Sequence, residues 1–423
     1  MLVDTISKSD FIRLVEFQTL ACIIHVFELV VLIAECKQNQ TSCEGTCLKR
    51  KSRKEVAIIA MTTAGSVFFV TLIVIGVSSS SSIDSRELLL VHVISRHGAR
   101  TPVDTYPNDP YINTTFYPAG WGYLTNEGKR DAFNLGQDIR RRYNKFLGDF
   151  YTNDIYYSQS TDVDRTISSV QVMNAGIWEP RNGQKWGDLN WQPIPVHYEA
   201  LNQDMLLLVR KMCPQYDIEF RRLMSSPMVQ EKLKLNKDLF EYLEHWSGNR
   251  INNFDDVQDL YSTLYAEDSF NLTLPSWTIN IYPDKLYELT SLSFQLRAYN
   301  NLLIRRYHQI GWSEDVLVGD GGHDSTIANL LSALKMFKPH VPDYTSTIIL
   351  EFSRDRFTDE YGIEVYYKMS VHHQLQKMHI PNCDSFCLLK DFLRITADVV
   401  PENWEKECAT DDPNFVPSEP IGP

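Results

Sequence analysis

No excess of positive charge runs through this chain. Its 423 residues carry 41 Lys and Arg against 54 Asp and Glu, a net charge of −13. That balance argues against a nucleic-acid partner, which asks for a basic face. Internal repeats and heptads are absent, so neither a solenoid nor a coiled coil is expected. Among the four cysteines Cys213, Cys383, Cys387 and Cys408, no second CxxC-like pair and no HxxxH accompanies Cys383 and Cys387, so a zinc site there lacks its usual spacing.

Long hydrophobic runs are also scarce. The exception is Val56–Val77, VAIIAMTTAGSVFFVTLIVIGV, without a charge in 22 residues. That length crosses a bilayer as a helix. Lys49-Arg50-Lys51-Ser52-Arg53-Lys54 precedes it and a serine run follows, so the basic side is expected to stay cytoplasmic. The organisation expected is a cytoplasmic segment at 1–55, an anchor at 56–77, a Ser-rich linker at 78–86, and a luminal or extracellular remainder. A cleaved signal peptide is the alternative and gives a secreted protein. Leu20–Ala34 is apolar but short, and it holds His25 and Glu28. It is read either as an interfacial helix or as a second, poor span.

Four cysteines precede the anchor (Cys22, Cys36, Cys43, Cys47) and four follow it (Cys213, Cys383, Cys387, Cys408). An even number on the translocated side suits two disulfides in an oxidising compartment. Cys383 and Cys387 are close enough to pair locally, which leaves Cys213 with Cys408. Asn113 and Asn271 open glycosylation sequons on that side. Asn39 opens one on the cytoplasmic side, where it is expected to stay bare.

Beyond the linker, strand and helix signals alternate, which indicates an α/β fold: a mostly parallel central sheet flanked by helices. Strands are expected at Glu87–Ile94, Ile155–Ser160, Asp315–Gly319, Ser346–Phe352 and Ile363–Ser370, with Trp191–Tyr198 extended. Asn126–Leu147 reads as a helix with Phe133, Gly136, Ile139 and Tyr143 on one stripe. Further helices are expected near Arg165–Trp178 and over Ser325–Phe337, the latter burying Ile327, Leu330, Leu331 and Leu334. The stretch 201–311 is mostly helical and reads as an inserted cap between core segments 87–200 and 312–410, with a tail at 411–423.

Chemistry concentrates in three turns that follow strands. They are Arg96-His97-Gly98-Ala99-Arg100-Thr101-Pro102, then Asp162-Val163-Asp164-Arg165-Thr166, then Gly319-Asp320-Gly321-Gly322-His323-Asp324-Ser325. Ligands of open α/β sheets gather at the carboxyl ends of strands, so the three can converge. Three arginine forks match phosphate oxygens. Two histidines exchange protons near neutrality. Taken singly, each residue has a plainer reading. A strand-end arginine is usually a solvated or structural charge, Asp324 and Ser325 can simply cap a helix, and Asp162 and Asp164 can pair with Arg165 or Arg130. It is the set, at equivalent strand ends, that points to a phosphate dianion.

RHGARTP matches the RHGxRxP signature of the histidine acid phosphatases, branch 2 of the histidine phosphatase superfamily. STDVDRT and the HD of GGHDST match the other two active-site segments. The chain resembles the prostatic and lysosomal types from about Glu87 to Cys408, through WQPIPVH, NLTLPSW and PNCDSFC. The resemblance implies an acid phosphatase acting on phosphate monoesters. His97 falls on the nucleophile that becomes phosphohistidine, and Asp324 on the acid for the leaving alcohol. Arg96, Arg100, Arg165 and His323 fall on the phosphate-binding positions. Covalent catalysis splits the displacement into two steps, and the arginines neutralise charge, so neither metal nor cofactor is required. A negative Asp324 beside a substrate dianion is unfavourable, which predicts activity on the acid side.

Ala99 stands where many relatives carry Asp. GDGGHD is richer in glycine than the usual run and reads as a flexible loop. The segment between Arg306 and Val316 is short, with consequences expected for the pocket and for homodimer contacts. Two other readings are a phosphatase specialised for inositol phosphates or lysophospholipids, and a catalytically weak binding ectodomain. All six chemical positions are intact, which favours an enzyme.

Overall fold

In the computed structural model of the chain, residues 85–181, 183–204, 207, 213–299, 317–400, 402–412 and 415–416 are described. The expected anchor at 56–77, the apolar 20–34 stretch, Asn39, the first four cysteines and the short segment before Leu317 lie outside them. None of the described helices is long and apolar enough to cross a membrane.

Strands β1 (Arg86–Arg96), β2 (Tyr156–Thr161), β3 (His197–Glu199), β4 (Leu317–Gly322), β5 (Thr347–Asp355), β6 (Tyr361–Lys368) and β7 (Gln376–Met378) form one sheet. Their order is β3-β2-β4-β1-β5-β6-β7, and the short β8 (Cys387–Leu388) adds to β6. The β3–β2, β2–β4 and β4–β1 pairs are parallel, whereas β1–β5, β5–β6 and β6–β7 are antiparallel. The sheet is therefore mixed, not mostly parallel. The reason is local: the link from Asp355 to Tyr361 is too short for a crossover and permits only a hairpin. Of the extended run at Trp191–Tyr198, only His197 and Tyr198 enter the sheet, continuing to Glu199.

Helices α1 (Asn126–Leu147) and α2 (Asp164–Ile177) cover one face of the sheet. Leu135, Ile139, Tyr143, Val170 and Met173 share a core there with Val91, Val93 and Ile349. Phe133, expected on the buried stripe, is 37% exposed. Gly136 sets the face of α1 instead, since a Cβ on it would lie 2.1 Å from the Met173 carbonyl oxygen of α2. Between β3 and β4 in the chain come α3 (Pro214–Met224), α4 (Pro227–Leu235), α5 (Lys237–Ser247), α6 (Phe254–Ser269) and α7 (Asp284–Tyr299). Val229, Leu243, Val257, Leu264 and Leu286 from these helices join one core with Ile94, Ile348 and Leu350 of the sheet. Helix α8 (Asp324–Ala333) feeds Ile327, Leu330 and Leu331 into the same core, and Leu334 follows just beyond it. Helices α9 (Leu389–Thr396) and α10 (Trp404–Cys408) close the fold. The disulfides are Cys213–Cys408, tying the start of α3 to the end of α10, and Cys383–Cys387.

Candidate active site

Three parallel strands bring the three segments together. In register, Arg96 of β1 stands opposite Gly322 of β4, and Ser160 of β2 opposite Gly321. The chain leaves β1 into His97 and leaves β4 into His323, so two imidazoles meet with ring centroids 5.4 Å apart. Chain direction and register suffice to explain the meeting; residues 226 positions apart in sequence become neighbours because parallel strands end at one edge.

The RHG turn is fixed by close backbone packing. A Cβ on Gly98 would lie 2.3 Å from the Gly128 carbonyl oxygen, and one on Gly128 would lie 2.1 Å from that of Ala99. Thr125 caps α1 by accepting from the Gly128 N–H at 3.0 Å, and its own N–H donates to Ala99. Ser169 of α2 accepts the Gly98 N–H at 3.1 Å. The first turn of α1 thus holds the segment that carries His97.

His97 is held in one tautomer. Its Nδ1 lies 2.8 Å from the Gly98 carbonyl oxygen, which can only accept, so Nδ1 carries the proton. Nε2 keeps its lone pair and accepts from Arg165 Nε at 3.2 Å. Burial, followed by Arg165, Arg96, His323 and Arg100, pushes the imidazolium well below the usual histidine range. The ring stays neutral and nucleophilic into acid.

Arg165 meets that lone pair directly, and Arg96 and Arg100 lie within electrostatic reach of the ring. Arg96, Arg100 and Arg165 are all buried, at 5%, 6% and 5% exposure. Arg96 donates to the Pro342 carbonyl at 2.6 Å and pairs with Asp324 Oδ2 at 2.8 Å. Arg100 donates to the Thr101 carbonyl and, at 2.8 Å, to Ser262 of α6. Desolvation and then the Arg100 charge lower Arg165 to about 9. Like charges so close are costly, and they gain from a shared anion. His323 places Nε2 3.0 Å from Thr161 Oγ1 and Nδ1 3.4 Å from Arg165.

Asp324 opens α8, and its side chain retains 26% exposure, unlike the buried arginines. Asp164, by contrast, accepts from the Tyr123 hydroxyl at 3.0 Å. The GDGGHD run is not a flexible loop: Gly319–Gly322 belong to β4 and are buried. Glycine is needed because a Cβ on Gly321 would sit 2.3 Å from Val170 Cγ2 of α2. All six expected residues share one locus. Thr161, Ser169, Ser262 and Tyr344 also reach it and were not anticipated. Thr161 stands inside the STDVDRT run and could have been named; the other three come from helices or loops with no motif of their own.

The family model for the histidine phosphatase superfamily, branch 2, matches residues 87–276. The chain is 35% identical to the venom acid phosphatase of Apis mellifera, over 83% of this chain and 92% of that protein. Identity to the prostatic acid phosphatase of Homo sapiens is 33%, covering 78% and 90%. The lysosomal acid phosphatase of Homo sapiens is 30% identical, covering 77% and 81%. Among solved structures, the phytase of Hafnia alvei bound to tartrate aligns with a TM-score of 0.55 at 16% identity, over 77% of this chain and 99% of that one. The last comparison shows a shared fold.

Proposed function

The chain belongs to branch 2 of the histidine phosphatase superfamily, and from that premise we propose that it is an acid phosphatase hydrolysing phosphate monoesters through a phosphohistidine on His97. The observation that carries this reading is the His97 Nε2 lone pair, which accepts from the Arg165 guanidinium with two further buried arginines, Arg96 and Arg100, within electrostatic reach of the ring. A phosphoryl group entering the cluster displaces Arg165 from Nε2 and takes up its guanidinium, with those of Arg96 and Arg100. Nε2 attacks phosphorus, the P–N bond forms as the P–O bond to the leaving group breaks, and the alkoxide takes a proton from Asp324. Water then attacks phosphorus and gives a proton to the Asp324 carboxylate as the P–N bond breaks, which returns Nε2 and releases phosphate. His323 stands by Arg165 as a further phosphoryl ligand.

Asp324 pairs with Arg96 at 2.8 Å. A dianion that claims the Arg96 fork removes that counter-ion and brings negative charge close, and both changes favour proton uptake. Substrate binding therefore arms the acid. The test is turnover of aryl and alkyl phosphates by the full chain, wild type beside His97→Ala and Asp324→Asn. The first change is expected to cost on the order of 10⁴-fold or more. The second is expected to cost about 10²-fold for alkyl leaving groups and far less for nitrophenolate, which needs no acid. Equal rates in wild type and His97→Ala would overturn the reading.

The relatives are named for venom, prostate and lysosome, which supports a luminal or extracellular catalytic domain; the uncharged run 56–77 is proposed as its tether. Asn113 and Asn271 are exposed, as glycan acceptors need to be. Helices α3–α7 are proposed as the cap that forms the substrate-side wall, with Ser262 its contact to Arg100. Self-association would use the open sheet edge at β3, exposed along its length.

A further inference from the structure

Tyr344 lies in the loop before β5 and is 6% exposed. Its ring is clamped from three sides. The Arg96 guanidinium stacks over it, 4.5 Å from the centroid. The Tyr265 ring of α6 packs against it at 5.3 Å, and the His97 imidazole lies at 5.7 Å. Asp343 secures the arrangement by accepting the Tyr344 N–H at 2.7 Å and the Tyr265 hydroxyl. A ring held so tightly has one place for its hydroxyl.

That hydroxyl is buried and has no hydrogen-bond partner among the described residues. Two further polar atoms share this condition in the same cluster, Arg96 Nε and Arg100 Nε. The hydroxyl also lies within electrostatic reach of Arg96, Arg100 and Arg165. Buried tyrosine hydroxyls normally find a partner, because an unmet one costs stability. Stability spent beside a binding site marks a group kept for a ligand. Resting on the phosphatase reading above, we propose that the Tyr344 hydroxyl donates a hydrogen bond to a phosphoryl oxygen of the substrate, as an additional phosphate-binding residue beside the three arginines. The plainer account makes the ring a platform for Arg96 and the hydroxyl incidental. The two differ in what happens when only the oxygen is removed.

Tyr344→Phe keeps the ring and its stacking on Arg96. Three readings on the full chain decide the matter: kcat/KM for an aryl phosphate, inhibition by inorganic phosphate, and the rise in Tm that phosphate produces. The expected result is an unchanged or higher Tm without ligand, with kcat/KM and phosphate affinity each lower by about tenfold. The phosphate-induced rise in Tm should shrink accordingly. Because that rise is read on each protein's own baseline, loss of fold cannot imitate loss of binding. Wild-type phosphate affinity and kcat/KM in Tyr344→Phe would overturn the inference. His97→Ala run alongside separates the cases: if it is inactive while Tyr344→Phe matches wild type, only the Tyr344 role is lost.

Discussion

His97 differs from an ordinary buried histidine in what its two nitrogens face. One donates to a carbonyl and the other accepts from the Arg165 guanidinium, so the tautomer and the neutral state are set by separate causes. Desolvation contributes most to the lowered basicity, and Arg165 is the largest charge. Arg165→Gln removes that charge and should let the imidazolium form at higher pH, toward 6.5. The acid limb of kcat/KM should therefore move up in pH, alongside weaker phosphate inhibition, in a pH-rate profile read against wild type. An acid limb that stays in place while affinity falls would show that Arg165 binds phosphate without tuning His97. These residues were legible in the sequence because their types are rare at strand ends and recur three times. Tyr344 and Ser262 were not, since a tyrosine or serine in a helical or loop stretch carries no signal until the fold sets it beside Arg96 or Arg100.

At the scale of elements, three strand ends and two helix starts make the site. Gly98 and Gly128 let the RHG turn sit on the first turn of α1. Gly98→Ala forces its Cβ into the Gly128 carbonyl, and neither backbone can yield without moving His97. Activity is expected to fall by at least about 10²-fold while far-UV circular dichroism stays near wild type. A fully active Gly98→Ala enzyme would mean the turn is looser than this packing implies. The extent of α1, Asn126–Leu147, could be read from its periodicity. Strand direction could not be read from hydrophobic content, because β5 is as buried as a parallel strand. The short link to β6 was the available sign. The character of Gly319–Gly322 was hidden too, since glycines needed for close approach in a strand look like glycines of a loop.

Across the whole molecule, the helices from 214 to 299 share a hydrophobic core with the sheet. Glu267 of α6 is fully buried there with the Asp109 carboxylate and Tyr106 as neighbours, and desolvation followed by the Asp109 charge raises it to about 8. A carboxyl raised in the folded state stabilises the fold below its unfolded value near 4.5, and loses that contribution as pH rises through 8. Glu267→Gln should therefore melt higher than wild type at pH 8 and close to it at pH 5, by scanning calorimetry. An equal change at both values would show that Glu267 does not titrate in this window. The buried face of α8 followed from apolar periodicity. The burial of Glu267 did not, because an acidic residue in an amphipathic helix reads as solvent-facing.

The central claim is that phosphorus passes through a bond to His97. Acid phosphatase turnover of an aryl phosphate by the full chain, quenched in alkali within milliseconds and digested, should yield a peptide carrying phosphate on His97 by mass spectrometry, base-stable and lost in acid. Phosphate on another residue, or none while His97→Ala still turns over, would contradict the account.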